Sequence, residues 1–102
     1  MNRQIARLSF LLTVVVLQSP AYSADYFNGG EIYRAHCIDC HGSTGRGEFP
    51  GTPDFTRGEG ILKPDSQLIR HLQRGRGPAP AFSNILTEQE MLDVIAYIRG
   101  LY

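Results

Sequence analysis

The sequence predicts a small all-α protein whose helices and loops wrap around one bound group. Three observations carry that prediction. Helical periodicity comes with start and stop signals; the only two cysteines lie in one stretch, CIDCH, from Cys37 to His41; and no β-branched alternating run appears near them.

The chain opens with a segment of different character. Arg3 and Arg7 precede an uncharged, mainly apolar run from Leu8 to Leu17, followed by Pro20 and small residues. This is the layout of a secretory signal peptide, and the run is too short to span a bilayer core of about 30 Å. Residues 1–23 are expected to be cleaved, with Ala21 and Ser23 meeting the small-x-small rule better than cleavage after Ala24, which would put Tyr22 upstream. Of 102 residues, 79 then remain, from 24 to 102. That is one small domain in an oxidising compartment such as a periplasm, with no stable membrane span.

The whole chain has ten basic and ten acidic residues, and loss of Arg3 and Arg7 leaves eight against ten. A mildly acidic domain gives no electrostatic footprint for nucleic acid. A domain this short rarely buries enough apolar surface to stand without a staple.

Three main helices are expected in order. The first runs from about Tyr26 to Cys40, bringing Phe27, Ile32 or Tyr33, and Cys37 within helical reach of one another. The second follows Pro64, with Asp65 or Ser66 as N-cap, and ends at Gly75; its apolar stripe is Leu68, Ile69 and Leu72. The third opens on a T-x-x-E capping box, Thr87 to Glu90, and runs to about Arg99, stopped by Gly100. Met91, Val94, Ile95 and Ile98 form its stripe. Between the first two helices, GSTGRGEFPGTPDFTRGEG reads as loop wrapped over a ligand.

CIDCH decides the chemistry. A disulfide between Cys37 and Cys40 would close a loop too small to constrain the unfolded chain much. A thioredoxin-like pair normally sits in a βαβ unit, which this sequence lacks. Zinc would need two further ligands, and His36 and His71 could join only with awkward geometry. The remaining reading is covalent haem attachment. Two thiols at this spacing can add to the two vinyl groups of one porphyrin, and His41 then lies under the iron as proximal axial ligand. One covalent haem c also supplies the missing staple.

With these residues in view, the mature chain resembles the small class I cytochromes c over nearly its whole length. The resemblance rests on Gly29-x-x-x-Tyr33-x-x-x-Cys37, CIDCH, Pro53-Asp54-Phe55, RGRGPAPAF and LTEQEMLDVIAYIRGLY. It implies the small cytochrome c fold around one covalently bound haem, with Gly29 or Gly30 meeting Tyr97 where the first and last helices cross. It also implies cofactor contacts from Tyr33 and Pro53, the Pro53 carbonyl accepting the Nδ1 proton of His41. Electron transfer is the implied activity.

One departure stands out. The family's Met-Pro-x-Phe, whose thioether binds the distal face of the iron, is matched here by Ala79-Pro80-Ala81-Phe82. Alanine cannot ligate. Met91, the one methionine left in the mature chain, belongs to a core stripe. His71 sits at the edge of its helix's apolar stripe and is the distal alternative; Lys63 would have to lose its proton, and His36 abuts Cys37 on the attachment side as a surface residue. An open or water-occupied distal face is therefore expected, its pocket shaped by Gly75, Gly77 and the two prolines.

Two functions follow as expectations. The first is a periplasmic mono-haem electron carrier, monomeric and not an enzyme, exchanging electrons with periplasmic redox proteins; Arg70, Arg74 and Arg76 could line one side of the distal rim and steer an acidic partner. The second is a haem protein that binds or senses a small ligand such as carbon monoxide or nitric oxide.

Overall fold

The structure, a computed structural model, describes residues 13–18 and 23–102. The expected leader, residues 1–23, lies outside the described residues except for 13–18 and Ser23. Among the described residues the chain is helical: α1 is Tyr26–His36, α2 Ile38–His41, α3 Asp65–Arg74 and α4 Glu88–Arg99, with a 3₁₀ turn at Phe55–Arg57. Among the described residues, no helix is long and apolar enough to cross a membrane.

The expected first helix is in fact two. Asp25 caps α1 by accepting from the Asn28 N–H. At Cys37 (φ −118°, ψ −24°) the helix bends, and α2 carries the rest of CIDCH until Gly42, at φ 78°, ends it. The bend keeps the ladder nearly continuous, since Cys37 N–H donates to the Tyr33 carbonyl and His41 N–H to that of Cys37.

The core lies where α1 crosses α4. An added Cβ on Gly29 would stand 2.0 Å from the Asp93 carbonyl oxygen, and one on Gly30 3.1 Å from the Tyr97 ring. The backbones meet this closely because neither glycine carries a side chain. Tyr33, 0% exposed, packs on Tyr97 with ring centroids 5.2 Å apart. Ile32, Phe55, Ile61, Phe82, Leu86, Met91 and Val94 complete the cluster. Phe27 is not part of it: α1 buries the face holding Gly29, Gly30, Ile32 and Tyr33, which leaves Phe27 84% exposed, its ring edge-on to Tyr26.

The start of α3 differs from expectation, whereas α4 ends at Arg99 before Gly100 as expected. Pro64, with no side-chain hydrogen bond, is the N-cap of α3, and Asp65 is already helical; proline suits this boundary because its φ is preset and it has no N–H to satisfy. Gly100 ends α4 at φ −73°, so the position does not demand glycine for its backbone. Space is the limit instead, since a Cβ there would stand 2.7 Å from the Tyr26 ring, which would have to shift aside. The capping box at Thr87 and Glu90 is complete in both directions.

Two polar clusters fasten the ends together. Asp93, 3% exposed, accepts from the Asp25 N–H at 2.8 Å, from Asn28 at 2.9 Å and from Gln89 at 3.0 Å. Arg99 donates to the carbonyls of Ile61 and Lys63 and pairs with Asp65 at 2.6 Å. This clamp ties the end of α4 to the segment that enters α3. Ile61 and Lys63, held by this clamp, line the space described next.

Candidate functional site

α2, the loop after it, α3 and the turn before α4 enclose a cavity of about 880 Å³, toward the upper end of the range of small-molecule and cofactor pockets. Cys37, Cys40 and His41 line it, as do Pro53, Phe55, Leu68, Leu72, Ala79, Phe82 and Ile95. Most of the wall is apolar.

The CIDCH wall is held by hydrogen bonds that the helix itself cannot make. The last carbonyls of a helix lack intrahelical partners. Here the Cys40 carbonyl accepts from the N–H groups of Glu48 and Phe49, and that of His41 from Gly47, at 2.9 to 3.0 Å. Tyr33 Oη donates at 2.6 Å to the Gly42 carbonyl from full burial. Burial, with Cys37, Tyr97 and Glu48 adding, pushes the Tyr33 hydroxyl up to about 12, so it remains a donor at neutral pH.

Both thiols are unpaired, Cys37 half-buried and Cys40 exposed. Burial first, and the neighbouring Cys40 second, push the Cys37 thiol up to about 11. The His41 ring stacks on Phe55 at 4.5 Å and 18°. Burial holds its pKa below the ordinary histidine value, which favours the neutral imidazole that ligates metal.

The hydrogen bond expected between His41 Nδ1 and the Pro53 carbonyl is not formed. Nδ1 is buried with no partner. The loop is pinned elsewhere, by Gly47 N–H to His41 and by Phe55 N–H to Gly45, and it lays the Pro53 carbonyl beside Gly47, 3.3 Å from where a Cβ would be. Pro53 still lines the cavity. A buried imidazole nitrogen left unpaired costs about 1–3 kcal/mol.

The opposite wall is the turn after α3. Gly75 at φ 70° starts it, and a Cβ there would stand 2.6 Å from the Ala79 carbonyl oxygen. Arg76 and Ala79 exchange both backbone hydrogen bonds, at 3.0 and 3.2 Å, across Gly77 and Pro78. Phe82 N–H then donates to the Leu72 carbonyl at 2.7 Å and Ser83 Oγ to that of Gln73, pinning the turn to the end of α3.

The remaining candidates distribute as follows. Met91, 2% exposed, sits in the core cluster and is not part of the cavity wall. His71 is exposed at the rim, and Lys63 is half-buried in the wall. His36 is exposed, but it lines the cavity as well, edge-on to Phe82 at 6.0 Å.

Two adjacent thiols, a neutral imidazole with an unpaired buried nitrogen and an apolar cavity suit a porphyrin joined by two thioether bonds. Known proteins agree. A family model described as cytochrome c oxidase, cbb3-type, subunit III matches residues 24–98. Cytochrome c6 of Nostoc sp. is 28% identical over 97 residues, covering 91% of this chain and 86% of that protein. Among solved structures, the KustC0563 c-type cytochrome aligns with a TM-score of 0.63 at 26% identity, over 72% of this chain and 95% of that one. Cytochrome c6 of the diatom Phaeodactylum tricornutum shares the fold, with a TM-score of 0.59 at 23% identity over 76% and 93% of the two chains. The chain belongs to the family that this model describes, as a small class I c-type cytochrome of electron transfer that carries one covalently bound haem c.

Proposed function

We propose that the protein is an exported, monomeric electron carrier whose haem is held by Cys37, Cys40 and His41 and whose distal iron face is left without a protein ligand at Ala79. The observation that carries this reading is the shared wall: both thiols, His41 and Ala79 line one cavity of about 880 Å³, and Met91 does not. When bound, the haem supplies a one-electron iron couple whose potential follows axial ligation, burial and hydrogen bonding.

The chain's own residues do the rest. Tyr33 and the N–H groups of residues 47–49 hold α2, and so set the height and tilt of the His41 ring. Phe55 fixes the plane of that ring by stacking. Leu68, Leu72, Phe82 and Ile95 keep water from the inner part of the cavity. Cys40 is exposed, which supports electron exchange at the thioether edge. The partners are redox proteins, donor and acceptor, of the compartment to which the leader directs the chain.

Potentiometric titration and intact-mass measurement of the exported protein test the carrier reading. It predicts one reversible one-electron wave, at a lower potential than in methionine-ligated relatives, and an N-terminus at Ala24. An irreversible response, or a mass without one haem, would contradict it. A second reading, small-ligand binding at the open face, is favoured by the methyl group of Ala79 in the cavity wall; fast carbon monoxide binding with slow electron exchange would select it.

A further inference from the structure

A second, smaller pocket of about 310 Å³ opens beside the haem cavity, lined by Gln67, Arg70, His71, Arg74, Gly75 and Arg76. No carboxylate lines it. Gln67, Arg70, His71 and Arg74 recur on one face of α3, at helical spacings of three and four. Arg76 comes from a different element. The left-handed Gly75 turns the chain back, and the paired backbone hydrogen bonds of Arg76 with Ala79 hold it there. Helix and turn thus place three arginines around one concavity.

Their charge is not neutralised within the fold. Among the described residues the ion pairs are Arg34 with Glu31 and Arg99 with Asp65, neither of which involves these arginines. Like charges four apart on a helix, as at Arg70 and Arg74, destabilise it by about 0.2–0.5 kcal/mol. An anion between them reverses that sign. A concavity of about 310 Å³ falls at the lower end of the range of small-molecule sites.

We propose that this pocket binds a small oxyanion of the carboxylate or phosphate class, and that the bound anion tunes the haem. His71 and Arg76 line both spaces, so the anion sits against the distal rim of the haem cavity. Negative charge there favours ferric over ferrous iron, and by linkage the oxidised protein binds the anion more tightly. A preference of about threefold lowers the potential by about 28 mV at saturation.

The test is calorimetric titration of the holoprotein with inorganic phosphate, with ionic strength held constant by chloride, alongside Arg70→Gln, Arg76→Gln and, as a control, Arg34→Gln. Saturable binding that weakens about fivefold in each of the first two variants and is unchanged in the third is expected. So is a saturable fall in potential over the same phosphate range. Binding is read whether or not the iron has a distal ligand, so its outcome is separable from the reading of Ala79. A response that never saturates, or that survives in Arg70→Gln and Arg76→Gln, would overturn the site. Saturable binding with an unchanged potential would overturn the coupling.

Discussion

Tyr33 is the residue on which the haem-binding segment leans. Its hydroxyl is the partner of the buried Gly42 carbonyl, one residue beyond His41. Tyr33→Phe keeps the ring packing on Tyr97 but strands that carbonyl, and is expected to cost about 1–2 kcal/mol in urea unfolding of the holoprotein. Asp93 works at the same scale. Burial raises its pKa, but the hydrogen bonds from Asp25 N–H, Asn28 and Gln89 outweigh this and hold it below the ordinary carboxylate value. A depressed folded pKa gives stability that is present above the unfolded value of about 3.9 and lost as pH falls through the folded one. The stability gap between the native protein and Asp93→Asn should therefore narrow as pH drops below about 4. Neither partnership was legible in the sequence, since Tyr33 meets Gly42 only after the bend at Cys37, and Asp93 meets Asp25 across 68 residues.

Among the elements, α1 and α4 could be read from their apolar stripes and the capping box at Thr87, whereas their crossing at Gly29 and Gly30 was implied only by the family resemblance. Local signals sufficed for the two helices because cap chemistry and apolar stripes act within a few residues. Gly29→Ala is expected to be severe: a methyl group 2.0 Å from a backbone oxygen forces the helices apart. A loss of about 3 kcal/mol or more is predicted, read by thermal unfolding with the haem spectrum as a second probe. Other features could not be read from local signals. The break at Cys37, the 3₁₀ turn at Phe55–Arg57 within the expected loop and the orientation of the Pro53 carbonyl depend on where the loop after His41 folds back. Arg99 reads as an ordinary C-terminal helix cation, yet its hydrogen bonds reach back 34 to 38 residues.

For the molecule as a whole, one short motif and one substitution set the account. CIDCH and the helices around it define a c-type cytochrome, and the cavity between α2 and the turn after α3 gathers Cys37, Cys40, His41 and Ala79 from segments up to 42 residues apart. The proximal wall was legible because its residues are contiguous. The distal wall was legible only as a departure, and His36 shows why: its place in the cavity beside Phe82, a residue 46 positions further on, is not visible in periodicity.

The most direct test of the distal assignment is the absorption spectrum of the purified holoprotein, oxidised and reduced, before and after carbon monoxide, with His71→Ala alongside. The account predicts a high-spin spectrum and immediate carbon monoxide binding, both unchanged by the substitution. A low-spin spectrum that turns high-spin in His71→Ala would contradict it and make His71 the distal ligand.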